Sequence, residues 1–405
     1  TVIAVVKMTI PDDPVDEVEK MIRDHMPHPS QAGEIGVIDW VEVEEKYQRM
    51  GIATALINKT FHYIGAKKSQ VVAMYLVVNP NNKEAIGLYK KTGFVKVGEQ
   101  RDYFRALGIR QTWKAVRRSG LPRKDVVVAI LDSGITPGHP EFEGKVLRGH
   151  DASGAWKKSV EDHFGHGTAM AGIIASNINN GVGIAGIADK VLIRPIRMSE
   201  KGTKAAFERV VRAWEAALTF ENTDIILYSA GGWFDQDRSV IYKFALEQAV
   251  KKGILVLTAA PNSDNVDGPE EVELPCALAN GVSGVLCIAT TVTSDPFTAL
   301  GDAAKLASFG MPGTNVTYPT PIRDGDVWRY AKGQGSSVAA AAGAGIAVLI
   351  KSFKNFRPQE IERILLNSTE GRVRTKAGDE MSYGLLRPEV AIKQAIAEAT
   401  WSQVA

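Results

Sequence analysis

Apolar and polar positions alternate with two different textures along the chain. Up to about residue 108, strand-like runs (2–8, 35–42, 71–78 and 94–97) alternate with stretches of helical period (51–64 and 82–92). A second block opens near Asp125 with the run DVVVAILD and continues to about Glu398. Its strand candidates are 126–131, 191–196, 225–228, 254–258 and 285–290, separated by amphipathic helices. Apolar strands alternating with helices predict an α/β fold, with a parallel sheet covered by helices on both faces. The first block predicts a smaller α/β domain. Between them, RALGIRQTWKAVRRSGLPRK is basic, with Gly and Pro near its end. It reads as a linker that becomes the first helix of the second domain. The expected division is therefore 1–108, a linker and first helix at 109–124, and 125–398. No internal repeat or low-complexity tract interrupts it.

Composition changes this picture little. Of 405 residues, 45% are hydrophobic and 23% charged, as in ordinary globular chains. The net charge of +2 gives no electrostatic reason to expect a nucleic-acid partner. The longest apolar run, 338–350, is rich in Ala and Gly. It is too short to span a bilayer and fits a buried core helix, so no membrane association is expected. The opening TVIAVVKMTI lacks a basic region and a small-residue cleavage site, so it does not read as a signal peptide. The chain starts on Thr1 rather than Met, and we expect its true start to be missing. Cys276 and Cys287 are too few for a disulfide scaffold. Two buried thiols in a reducing compartment are the expectation. A single bridge stays open because the two lie only eleven residues apart.

Three segments of the second block carry chemistry. Asp132 ends the apolar strand in VVVAILDSGI. His166 opens a glycine-flanked, Ala-rich helix in DHFGHGTAMAGIIAS. Ser337 opens another small-residue helix in GQGSSVAAAAGAGIAVLI. A serine hydroxyl is a poor nucleophile until a neighbouring base takes its proton. His166 is the candidate base, later the acid that protonates the leaving amine, and Asp132 the group that fixes its tautomer. The order Asp, His, Ser is one of the known chain orders for this triad. Gly165, Gly167 and Gly335 permit tight turns and close helix approach. A nucleophile at a helix N-terminus also meets the positive end of the helix dipole.

The motifs LDSGI, GHGTAMAG and GSSVA resemble the three signature segments of the subtilase family. Weaker segments follow in the same order. YSAGG resembles the family's substrate-binding strand, which implies that Ser229, Ala230 and Gly231 form one wall of the S1 pocket. Their small size leaves room for a fairly large P1 residue. TAAPNSD resembles the segment that supplies the oxyanion-hole asparagine, here Asn262. ASFGMPGTNV resembles the segment before the nucleophile, and SYGLLRPEVAI the closing helix. The resemblance covers roughly residues 112 to 398 and implies a subtilisin-like sheet. The chain departs from the family in having Pro261 before Asn262, where Gly is usual, and no proline after Ser337. Ser336 takes the place of a usual Thr, which leaves Ser337 as the nucleophile. His163 reads as a surface residue rather than a second base.

In the first block, Gln48, Arg49, Met50, Gly51, Ile52 and Ala53 lie between a strand and a helix. Consecutive N–H groups at a helix start can hold an anion, and small residues there admit a pyrophosphate. Together with Asn82, Ala85, Tyr89, Gly93 and Phe94, this loop resembles the second half of a GNAT-type N-acetyltransferase. The resemblance is good from residue 34 to about 100. It implies that 48–53 bind the pyrophosphate of acetyl-CoA. It also implies that Val41 and Val43 lie beside the pantetheine arm, with Asn82 in the same site, and that Tyr89 protonates the leaving thiolate. Glu42 or Glu44 could serve as a base. The family's first strand and helix are expected to be missing, so this domain reads as N-terminally incomplete.

The resulting expectation is a serine endopeptidase acting on peptides or proteins through an acyl-enzyme, with an appended acetyl-CoA-binding domain. The alternative is an acetyltransferase whose subtilase domain holds an extended peptide along 228–232 or regulates it. No acidic loop of calcium-binding pattern is visible, so no metal is expected. Use of acetyl-CoA, with the cysteine count, points to the cytoplasm.

Overall fold

The computed structural model of the chain describes residues 4–12, 22–76, 83–95, 107–154, 158–199, 205–264, 272–292 and 295–404. It divides into two compact units, Thr1–Asp102 and Tyr103–Ala405.

In the first unit, β1 (Ala4–Asp12), β2 (Glu34–Val43), α1 (Ile52–Lys67), β3 (Val71–Tyr75) and α2 (Lys83–Lys91) follow in order. The sheet order is β1-β2-β3, with β1 antiparallel and β3 parallel to β2. Alternate residues Ile35 and Val37 turn inward with Ile22 and Tyr75 to form a small core. Ile57 and Ile64 of α1 are also buried. The strand expected over 71–78 ends at Tyr75, and 77–78 lie outside the described residues. Phe94 and Val95 form no strand, and 96–97 also lie outside them. Phe94 packs its ring on Phe61 and Tyr89 instead.

The second unit begins with α3 (Ile109–Ser119) and β4 (Val126–Asp132), then β5 (His150–Asp151), α4 (His166–Ala175), β6 (Val191–Arg197) and α5 (Phe207–Thr219). Next come β7 (Ile225–Tyr228), β8 (Gly232–Trp233), α6 (Gln236–Lys251), β9 (Leu255–Ala259), β10 (Glu273–Leu274), α7 (Cys276–Ala279) and β11 (Val285–Val292). The remainder is β12 (Asp295–Ala299), β13 (Phe309–Pro312), β14 (Val316–Asp324), β15 (Val327–Gly333), α8 (Ser336–Phe353), α9 (Pro358–Asn367), β16 (Thr369–Glu370), β17 (Leu385–Leu386) and α10 (Pro388–Val404).

The main sheet runs β16-β17-β13-β11-β9-β7-β4-β6-β5 and is parallel from β13 to β5. The antiparallel members are β16 at the edge and β12 beside β11. All of β4 is buried, so both of its faces must be apolar. Val126, Val128 and Ile130 enter one core with α3, α4, α8, α9 and α10. Ala129 and Leu131 enter the other with α5, α6 and α7. From β4 the chain first builds outward to β6, then crosses to β7 and continues away through β9 and β11. The sheet therefore reverses direction at β4, where the carboxyl ends of neighbouring strands open a crevice.

Helix α8 extends beyond the apolar run that marked it in the sequence. It is long and apolar enough to cross a membrane but is almost entirely buried among α4, β11 and α10. The cysteines depart from the expectation of free thiols. Helix α7 packs on β11 and brings Cys276 and Cys287 to a Cα separation of 5.1 Å, where they are joined by a disulfide.

Candidate active site

Asp132 closes β4 with a side chain 1% exposed. Its carboxylate faces the first residue of α4. His166 Nδ1 lies 2.9 Å from Oδ1 and 2.8 Å from Oδ2 of Asp132. Oδ1 also accepts the Ser133 N–H at 2.7 Å. Helix and strand end can meet because Gly167 has no side chain. A Cβ there would collide with the Gly134 carbonyl and press on Asp132.

A residue the sequence reading passed over holds the start of α4. The Asp162 carboxylate is buried and accepts from Phe164 N, Gly165 N, Thr168 N and Thr168 Oγ1. It satisfies the orphan Thr168 N–H of the first turn, as a capping group would, and fixes the loop that enters the helix. The signal was present in DHFGHGT, an aspartate three residues before a helix-starting glycine. Burial lowers the His166 pKa. The charge and hydrogen bond of Asp132, helped by the charge of Asp162, outweigh burial and hold it above the ordinary imidazole value. His163 is exposed, as expected of a surface residue.

Helix α8 packs on α4 and starts at the serine pair. Gly335 precedes it with φ 140, a conformation other residues rarely adopt. The two serines differ sharply. Ser336 is buried, and its Oγ accepts the Thr290 N–H at 3.1 Å. Ser337 is half-buried. Asn262 is exposed, and its Oδ1 accepts the Ser336 N–H at 2.8 Å. That bond ties the asparagine to the serine helix and leaves Nδ2 as the available donor. Its loop is braced by Gly301, which lies against the Asn262 carbonyl, and by Ala303 N donating to Ser263 O. Pro261 is buried and does not prevent this arrangement.

Ser229, Ala230 and Gly231 follow directly on β7, next to the end of β9 from which Asn262 departs. Ser229 and Ala230 are buried and Gly231 is half-buried.

In the first unit, Gly51 caps α1 with φ 80 and no side-chain hydrogen bond. Arg49 also has positive φ, and Gln48 Nε2 donates to the Val43 carbonyl. Gln48, Arg49 and Met50 are exposed, while Val41, Val43, Ile52 and Ala53 are half-buried. Arg49 forms an exposed ion pair with Glu84 at 3.3 Å. Glu42 and Glu44 are exposed. Tyr89 is half-buried, its ring edge-on to Phe94. Asn82 lies outside the described residues.

Residues 123–385 match the model of the Subtilase family, and residues 1–94 match that of the Acetyltransferase (GNAT) family. The Major intracellular serine protease of Bacillus subtilis (strain 168) is 32% identical over 241 residues, 58% of this chain and 71% of that protein. Thermitase of Thermoactinomyces vulgaris is 29% identical over 248 residues, 60% of this chain and 78% of that protein. Among solved structures, a subtilase cytotoxin SubAB assembly gives a TM-score of 0.61 at 20% identity, covering 75% of this chain and 98% of that one. Fervidolysin from Fervidobacterium pennivorans gives 0.57 at 22% identity, covering 72% and 45%. These two share the fold with the second unit. The chain therefore belongs to the subtilase family of serine endopeptidases and carries a GNAT-family domain ahead of the protease.

Proposed function

We propose that Asp132, His166 and Ser337 form the catalytic triad of this endopeptidase and that Asn262 is its oxyanion donor. The observation that carries the reading is the Asp132–His166 pair, 2.8 Å apart, on a helix packed against the one that Ser337 opens. With Nδ1 engaged by Asp132, Nε2 is the nitrogen free to take the Ser337 proton. Ser337 Oγ then attacks the scissile carbonyl. The oxyanion so formed is met by Asn262 Nδ2, oriented through its Oδ1 bond to Ser336 N. The imidazolium returns the proton to the leaving amine, and water hydrolyses the acyl-enzyme by the same route. Ser336 is unsuited to this role because its hydroxyl is buried and bonded to the Thr290 backbone.

The test is labelling with a fluorophosphonate probe. Wild type and Ser336→Ala should label, whereas Ser337→Ala should not. An unlabelled wild type would remove the reading.

A separate observation supports acetyl-CoA binding by the first unit. The uncapped start of α1 at Gly51 leaves backbone N–H groups for an anion, as a pyrophosphate requires. Residues 48–53 would hold that group, Val41 and Val43 would flank its arm, and Tyr89, in α2, would be the proton donor to a thiolate. When bound, acetyl-CoA would supply the acyl group. Isothermal titration of the full chain with coenzyme A should show saturable binding, weakened by Gly51→Pro. Absence of heat would also remove the alternative of an acetyltransferase with a peptide-holding subtilase domain.

The intracellular relative supports a cytoplasmic location. The Cys276–Cys287 bridge is of the kind an oxidising compartment sustains. Non-reducing peptide mass spectrometry of the native protein decides between a bridged and a reduced pair.

A further inference from the structure

Helix α6 carries two apolar stripes, and packing within the protease unit accounts for one of them. Tyr242, Ala245, Leu246 and Ala249, spaced by three and four, are buried in the core shared with α5 and β9. Val240, Ile241 and Phe244 repeat that spacing on the outer side and are 66%, 41% and 63% exposed. Phe234, just ahead of the N-cap Asp235, is exposed as well. A single exposed apolar residue needs no explanation, but a stripe of three with an aromatic at its end marks a contact face.

The charges along this stripe are left over too. Asp237, Lys243, Glu247 and Lys251 are all exposed, and none of them has an ion-pair partner among the described residues. A second copy of the helix supplies what is missing. Laid antiparallel across a two-fold axis at Phe244, two copies of α6 set Phe244 against itself and Asp237 opposite Lys251 at both ends. Val240 and Ile241 then lie over the stems of Gln248 and Glu247, and Lys243 comes within a side chain's reach of Glu247. Each unpaired charge thus meets an opposite one. The register is selective, because an axis that set Val240 on Phe244 would bring Asp237 against Glu247, a like pair.

We infer that the outer face of α6 is a homodimer interface, centred on Phe244 at a molecular two-fold and held in register by the Asp237–Lys251 pairs. It is independent of the triad and of acetyl-CoA binding. An aromatic centre within a charged rim is the common anatomy of a protein contact. One helix from each copy makes a small interface, so the dimer is weak and forms as concentration rises.

Sedimentation velocity of the full-length chain over a concentration series should show a monomer–dimer equilibrium. Phe244→Asp should raise its Kd by about 30-fold or more, as for a central aromatic anchor. Asp237→Lys should weaken it as well, and adding Lys251→Asp should restore it. The chain's own cysteines are bridged to each other, so Phe244→Cys adds a single free thiol. That variant should form a disulfide-linked dimer on mild oxidation, whereas Val240→Cys should not, because Gln248 is its neighbour across the axis. A wild type that stays monomeric throughout the series overturns the inference and leaves the face to another partner. So does a dimer that Phe244→Asp leaves intact, which would put the interface elsewhere. Should Phe244→Asp fail to fold, the two cysteine variants decide. Equal yields from both, or no linked dimer from Phe244→Cys, would refute the two-fold at Phe244.

Discussion

The imidazole of His166 titrates under the charges of two carboxylates, Asp132 and Asp162. On the proposed triad the base must be neutral to accept the Ser337 proton, so activity should rise with pH through the raised pKa. The acid limb of kcat/KM is expected above the ordinary 6.5. Stability runs the opposite way. A raised folded pKa stabilises the protein below the unfolded value, and that contribution fades as pH climbs through the folded one. Asp162→Asn removes one of the charges, so the acid limb should move down. An unmoved limb in the pH–rate profile would leave Asp162 with a capping role only. Asn262→Ala removes the proposed side-chain oxyanion donor and should lower kcat by about 10²- to 10³-fold with KM little changed, as read by steady-state kinetics. Much of this scale was legible in sequence, because Asp132, His166 and Ser337 each sit in a short segment whose neighbours serve the same local geometry. The part played by Asp162 was not, because a capping aspartate looks like any polar residue until its four donors are seen around it.

Among elements, the parallel strands are where their apolar runs place them, since a strand buried on both faces must be apolar throughout. The ribbon β14–β15 had no such signal. Both strands are partly exposed, and β14, which carries the prolines, packs on α4. Pro319 fills the notch at Gly172, and Pro321 covers Gly165 beside His166. The same ribbon covers His139. That imidazole is buried against the rings of Phe142, Trp328 and Tyr330, and its Nδ1 accepts the Glu141 N–H. Burial lowers its pKa to about 4. The unfolded chain therefore binds this proton more readily, and stability should fall as pH drops from 6.5 toward 4. Urea titrations across that window should show the loss, and His139→Phe should flatten it. An equal slope in the variant would assign the acid sensitivity elsewhere.

At the scale of the whole protease unit, the Cys276–Cys287 bridge closes a short loop between α7 and β11. Closing a loop of this length restricts the unfolded chain, so reduction should cost about 2–3 kcal/mol. Equilibrium unfolding with and without reductant measures it, and coincident curves would show that the bridge adds nothing. Sequence alone determined the family, the parallel sheet and the segments of the site, because each depends on residues close together in the chain and on periodicity. Tertiary structure decided which serine is buried against Thr290 and that the cysteines meet. Each of these joins residues brought together by strand order and register, and apolar periodicity encodes neither.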